Sequence, residues 1–467
     1  MFVLATLFLL PKAIFPQMFQ VNDEFDYSRK YRDYRINSGH IPNGYLLEQS
    51  SVVSKDTTGS DQFNGYIQPG YSVNSSQRFH HSYSLYFRES FQSKYLDLGN
   101  ITGVNRRYKY DPAFAGDLSE SDHWLYGRVE QAYGKLHMNN FNLFLGRASR
   151  NWGPINSYSL ILSDYSYSYD HLLFSYKSPS HFKLSVLYAP LDETAGRTFK
   201  NPDSTIYQVK RYLVGHRLDI KFFQRFQIAL TEMATYGGPD QQFELAFMNP
   251  MTFYYPLQRN DRKEIDGYWA IDLFYKPSTH ITIYGQFLLD DIIVNNDPGV
   301  NDRARYDDRL GINVSFRTGD LIVNGLNTDL SYVRVWNRTY QSKFTWQNYQ
   351  YRGLGLGYPC ASCEEIKLKL GYWNWLPFYL ETELSLGRYG NVQLTDLFPM
   401  KKEPFPVPPV ENNVIAKLNI EYYASNALHA KLNLRYMQNP HHYSQRVNPQ
   451  KGFVITASVI YRFHYGF

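Results

Sequence analysis

The 467-residue chain lacks any apolar run of the ~18 or more residues that a membrane-spanning helix needs. Its only cysteines, Cys360 and Cys363, have no further Cys or suitably spaced His nearby to complete a zinc site. In an exported protein such a Cys-Ala-Ser-Cys pair is expected to form a local disulfide that tightens a loop. A net charge of +5 is small for this length, and no basic cluster carries interleaved aromatics, so nucleic acid is not expected as a partner. There is no G-x-S-x-G elbow, H-E-x-x-H pair or phosphate-binding loop. His80-His81 and His441-His442 are adjacent pairs, whose members point to opposite faces of a strand and make poor joint ligands. No enzymatic step, cofactor or metal is expected.

The chain does contain 42 Tyr and 31 Phe, with only 19% charged residues and a mean hydropathy of −0.46. A transmembrane β-barrel produces this profile, because it places lipid-facing residues at every second position and so keeps the average polar. RLGINVSFR sets Leu310, Ile312, Val314 and Phe316 against Gly311, Asn313, Ser315 and Arg317. ALHAKLNLRY and the closing FVITASVIYRFHYGF alternate in the same way, the latter putting Phe453 to Tyr465 on one face and ending on Phe467. Short links (KSPS, FFQRF, YKPSTH, YASNAL) alternate with long polar ones, except around 318–378, where two short links follow one another. Either a strand is missed there or part of the region folds inward. The predicted fold is an all-β transmembrane antiparallel barrel of about 16–18 strands over residues 62–467. Before it come a signal peptide over 1–20 and a periplasmic or plug segment over 21–61, with a short helix suggested by Tyr27, Tyr31 and Tyr34. The competing architecture is a secreted β-sandwich.

Five stretches are less generic: LGRASRNWGPINSYSLILSDYSYSYD (145–170), FELAFMNPMTFYYPLQRND (243–261), IYGQFLLDDI (283–292), VRVWNRTYQ (333–341) and NYQYRGLGLGYP (348–359). In this order they resemble the capsule-assembly Wzi family of outer-membrane proteins, as a Bacteroidetes-like member. The resemblance implies a monomeric, plugged barrel in the outer membrane of a Gram-negative bacterium, binding capsular polysaccharide at its outer face without chemistry. Two departures stand out: Ile155 follows Trp152-Gly153-Pro154 where the family often has Gly, and Cys-Ala-Ser-Cys follows Pro359.

Glycan recognition pairs aromatic faces with amides and carboxylates in a concave site. The 145–170 stretch supplies Trp152, Tyr165, Tyr167, Asn156 and Asp164, with Arg147 and Arg150 as counter-charges should the glycan be acidic. The alternatives are an interfacial aromatic girdle for the tyrosines and a structural turn for Trp152-Gly153-Pro154. Asn249, Pro250, Phe253 and Tyr254 read as a loop tucked into the lumen as a plug. Asp290 and Asp291 end a strand and open an acidic loop, expected to be salt-bridged rather than calcium-binding. The expected partners are outer-membrane lipid, surface polysaccharide and other cell-envelope proteins. A diffusion porin and a structural subunit of a gliding or secretion machine are the other functions compatible with these residues.

Overall fold

A computed structural model describes residues 34–38, 49–50, 61–75, 80–105, 108, 126–154, 157–179, 181–198, 200–223, 225–260, 264–292, 307–375, 377–399, 401–425, 427–438 and 452–466. The expected leader over 1–20, Asn156 and the terminal Phe467 lie outside these residues. Eighteen antiparallel strands form one closed barrel, each paired with the next in the chain. The first, Gln62–Asn74, closes on the last, with Tyr71 opposite Val459 and Gly65 opposite Tyr465. Closure leaves no unpaired edge, as lipid requires of a sheet.

The period-two code of the sequence becomes the wall. In Ile265–Ser278, Trp269, Ile271, Leu273 and Tyr275 project outward and are exposed, while Tyr268, Ala270, Asp272, Phe274 and Lys276 are buried inside. In Gly452–Tyr461 the outward set is Phe453, Ile455, Val459 and Tyr461. Strands meet in tight turns at one end, as between Met138 and Phe141, Lys177 and Phe182, Phe223 and Phe226, and Ser278 and Ile281. Short turns mark the periplasmic rim, so the long connections emerge at the cell exterior.

Two long segments depart from a plain succession of staves and polar links, the second by the inward folding that the sequence left open. The long polar link expected over about 190–210 is not a plain link, because Thr194–Thr198 pairs with the start of the 23-residue strand Asn201–Phe223 and forms a ribbon above the barrel. Around 318–378 no stave is missing among the described residues; the short strands Gln350–Tyr351 and Leu354–Gly355 pair with each other outside the barrel sheet. Leu326–Val335 and Cys363–Trp375 are neighbouring staves, and the residues between them fold into the lumen. Cys360 and Cys363 form a disulfide at the point where this infolded loop rejoins the wall.

Inward-facing charge is neutralised side chain by side chain. Arg217 is fully buried, 3.1 Å from Asp219 and 3.0 Å from Asp272, and donates to Thr231 Oγ1. The Tyr284 hydroxyl donates to the other Asp272 oxygen at 2.7 Å. Near the periplasmic end a single helical turn, residues 34–37, sits inside the barrel. There the Tyr34 hydroxyl donates to Asp320 at 2.9 Å, Lys276 Nζ donates to the Ile36 carbonyl at 2.6 Å, and Ile36 packs with Ala229, Phe274 and Tyr284.

Arg217→Ala leaves two buried carboxylates without their cation. The expected cost is about 3–5 kcal/mol, read as a lower urea midpoint for the detergent-solubilised barrel. An unchanged midpoint would show that the lumen is hydrated at this depth.

Candidate functional site

The extracellular half of the lumen is filled by two infolded loops, and the sequence motifs are what hold them together. Trp152 is fully buried, and its carbonyl accepts from Ser159 Oγ at 2.8 Å and from Gln286 Nε2 at 3.2 Å. At Gly153 a Cβ would lie 2.8 Å from the Ser159 Cβ, so the Trp-Gly-Pro turn can close only with glycine there. Leu160, Ile161 and Leu162 have no exposure and pack with Tyr340, Tyr349, Leu356 and Tyr358 of the second loop.

This apolar contact carries its own hydrogen bonds. The Tyr340 hydroxyl donates to the Leu160 carbonyl at 2.7 Å, and the Tyr349 hydroxyl donates to the Ile161 carbonyl at 2.5 Å. The Ser163 amide donates to the Leu356 carbonyl, and the Leu160 amide to Gln286 Oε1, both at 2.6 Å. Asp290 fixes the second loop to the wall by accepting from the Tyr340 amide at 2.7 Å, with Arg309 3.3 Å away. Asp291 lies 3.0 Å from the same guanidinium, on the rim. The Asp pair is therefore a salt-bridged anchor.

The residues expected to bind glycan are distributed differently. Trp152, Arg150, Tyr165 and Tyr167 are buried packing residues with no face open to a sugar. Arg150 Nε donates to His171 Nε2 at 2.8 Å, and its guanidinium stacks on Phe144. Arg147 points outward at the rim, paired with Asp170 at 2.5 Å. Among the described members of this set, Asp164 is the one that faces an interior cavity. With Tyr158 it lines a cavity of about 530 Å³ between the plug and the inner wall, among Lys367, Lys417, Glu381 and Glu383.

The 243–261 motif is misread by sequence reasoning: it is not in the lumen. Residues 239–260 fold over the outer wall. Phe247 and the fully buried Tyr254, at the start of the helix Tyr254–Asn260, pack on Val214, Ala234 and Tyr236, all outward-facing positions. Asn249 and Pro250 lie in the turn between Leu245–Met248 and that helix, and Phe253 is exposed. The lobe is fastened at Glu232, where Oε1 accepts from the Tyr254 amide at 3.1 Å and from Trp269 Nε1 at 2.8 Å, and Oε2 lies 3.1 Å from His216 Nε2. Sequence reasoning missed His216 and Glu232. Their signal was a polar residue at a lipid-facing position in each of two neighbouring strands, directly opposite one another.

Between this lobe, the strand ends and the infolded loop lies a second cavity of about 770 Å³ at the extracellular rim. Tyr255, Trp269, Phe344 and Phe398 supply aromatic surface, and Asp291 and Lys343 are among its polar lining. The Tyr255 and Trp269 ring centroids are 5.9 Å apart, and Arg309 rests 5.1 Å from the Phe398 ring. Aromatic planes beside carboxylate, amide and ammonium groups can stack on sugar rings and hydrogen-bond their hydroxyls.

Fold and interior together define an outer-membrane β-barrel with an occupied lumen. The family model for capsule assembly protein Wzi matches residues 43–453, and the chain belongs to that family. Among solved structures it resembles Wzi of Escherichia coli, described as an outer-membrane protein involved in group 1 capsule assembly and a carbohydrate-binding β-barrel. The TM-score is 0.54 at 14% identity, covering 86% of this chain and 84% of that one. OccK5 (OpdH) of Pseudomonas aeruginosa matches with a TM-score of 0.50 at 10% identity, covering 87% of this chain and 98% of that one. Identities this low establish the shared fold alone. No curated protein sequence matches the chain.

The connection after Tyr389 lies over the infolded loop, where Glu403 accepts from Arg338 at 2.7 and 3.0 Å beside Lys401. Burial disfavours the Glu403 carboxylate, but Arg338 and Lys401 outweigh it and hold its pKa below the ordinary carboxylate value. A depressed folded-state pKa adds stability above the unfolded value of about 4.3, which is lost as pH falls through the folded value. Proteolytic nicking of residues 401–410 should accordingly be flat from neutral pH down to about 5 and rise below about 4.

Proposed function

We propose that the protein is a non-catalytic outer-membrane barrel that binds capsular polysaccharide at its extracellular rim, in the cavity framed by Tyr255, Trp269, Phe344 and Phe398. The observation that carries this reading is the rim cavity itself. It combines several aromatic side chains with convergent polar groups at the outward end of the barrel. Family membership supports it, as does the carbohydrate binding ascribed to the Escherichia coli protein. The reading needs only reversible contacts, so no covalent step is assigned to any side chain.

The plug motifs contribute indirectly. They hold Ser342, Phe344 and Gln347 of the second loop against the strand ends, and these residues form one wall of the cavity. Asp164 stands apart, in the inner cavity behind the plug.

Purified protein should be retained on immobilised capsule from its own host. Tyr255→Ala and Phe344→Ala should each weaken retention roughly threefold to tenfold, the value of one aromatic contact. Trp152→Phe, inside the plug, should leave retention unchanged in protein that still folds. If wild-type protein is not retained the function fails; if it is retained and neither rim variant weakens it, the site is elsewhere.

A further inference from the structure

The lobe over residues 239–260 presents a second surface, facing away from the barrel. Its inner side is fully used: Phe247 and Tyr254 are buried against the wall, and Phe243 packs on Tyr188 at 4.7 Å. Its outer side is apolar and exposed, with Leu245 at 74%, Met251 at 79% and Phe253 at 69% of their accessible surface. Isolated exposed apolar side chains are ordinary, but three on one short excursion make a patch that calls for a partner.

The height of the patch identifies that partner. Trp269 is about nine residues above the Ser278 turn, roughly 23 Å along the membrane normal for strands rising ~3.3 Å per residue at a tilt near 40°. The apolar band of an outer-membrane barrel is about 25 Å tall and ends in an aromatic girdle. The Trp269–Glu232–His216 level is therefore the upper boundary of the lipid, and Phe253 lies beside it, its ring 6.3 Å from that of His216. Below the lobe the outward residues of the same staves, Leu230, Ile271 and Leu273, are exposed and apolar, so the patch continues the lipid-facing wall upward.

A polar pair on the lipid side of a barrel is expensive where hydrocarbon begins. The lobe removes that cost by covering His216 and Glu232 with Tyr254. In return the Glu232 carboxylate fixes the lobe through the Tyr254 amide.

We propose that the 239–260 lobe is a lipid-contacting collar, seated in the outer leaflet at the upper membrane boundary, with Leu245, Met251 and Phe253 immersed and Glu232 as the fastening that holds it to the wall. This goes beyond glycan binding and stands whether or not the rim cavity takes a sugar.

The test uses the full chain in nanodiscs of defined phospholipid. Both native cysteines are joined in the disulfide, so a nitroxide can be placed singly by Leu245→Cys, Met251→Cys or Phe253→Cys. Ile271→Cys on the wall is the lipid control and Lys401→Cys the water control. Electron paramagnetic resonance should show the lobe labels relaxed more by oxygen than by a water-soluble nickel complex, with the ratio on the Ile271 side of the midpoint between controls. Glu232→Ala, which removes the acceptor for the Tyr254 amide, should mobilise the lobe labels without changing the Ile271 label, which separates loss of the fastening from loss of the fold. Lobe labels as open to the nickel complex as Lys401 would overturn the proposal. So would lobe labels shielded from both reagents, since that places protein rather than lipid against the patch.

Discussion

The dominant constraint on this molecule is the width of its own barrel. An eighteen-strand barrel is too wide for its inward side chains to meet across the lumen and by itself leaves an aqueous channel. Filling that channel means bringing main chain inside, and every carbonyl and amide brought in needs a partner away from bulk water. The protein meets this requirement largely with side chains, among them Ser159, Asp290, Arg211, two tyrosine hydroxyls and Gln286. Tyr340 and Tyr349 donate to the carbonyls of Leu160 and Ile161, while Gln286 accepts from the Leu160 amide and donates to the Trp152 carbonyl. Because those bonds are supplied by side chains, the intervening Leu160, Ile161 and Leu162 are free to form an apolar core inside a polar barrel. Gly357 shows how closely the two loops approach, since a Cβ there would come within 2.2 Å of the Leu160 carbonyl oxygen.

This arrangement changes what the recurring motifs mean. A tryptophan, several tyrosines, an asparagine and an aspartate within one stretch look like a sugar-binding set, because the residue types that stack and hydrogen-bond to sugars also satisfy buried main chain. Depth separates the two uses. Trp152, Tyr165 and Tyr167 lie in the plug core, whereas Tyr255 and Phe344 border open space at the rim. Chemical type alone could not have made that distinction.

The wall was legible in the sequence because a stave has one apolar face and a fixed period of two; Leu310 to Phe316 and Phe453 to Tyr461 read correctly from alternation alone. The interior was less legible, since an infolded loop has no period. The stretch 336–362 registered as a break in the alternation of short and long links and through its motifs, neither of which fixes how an infolded loop packs. The 239–260 lobe was misplaced for a different reason. Its aromatic residues suggest burial, and the lumen was the only burial site considered. The wall residues His216 and Glu232 held the correction, because a polar pair facing hydrocarbon requires a cover.

That pair also shows how the two halves of the rim depend on each other. Glu232 accepts at once from the lobe, through Tyr254, and from the wall, through Trp269, and Trp269 in turn lies against Tyr255. On the inner side Arg309 bridges Asp290, which accepts from the infolded loop at Tyr340, and Asp291, which faces the rim. The cavity is therefore bounded by two carboxylate anchors, one holding an element outside the barrel and one holding an element inside it. Neither anchored element has the continuous main-chain pairing that keeps a stave in place, so beside its apolar packing each draws on charge-assisted bonds in partly dry surroundings, where such bonds are strongest and their loss most costly. The shape of the rim thus depends on Glu232 and Asp290 as well as on the aromatic residues that line it.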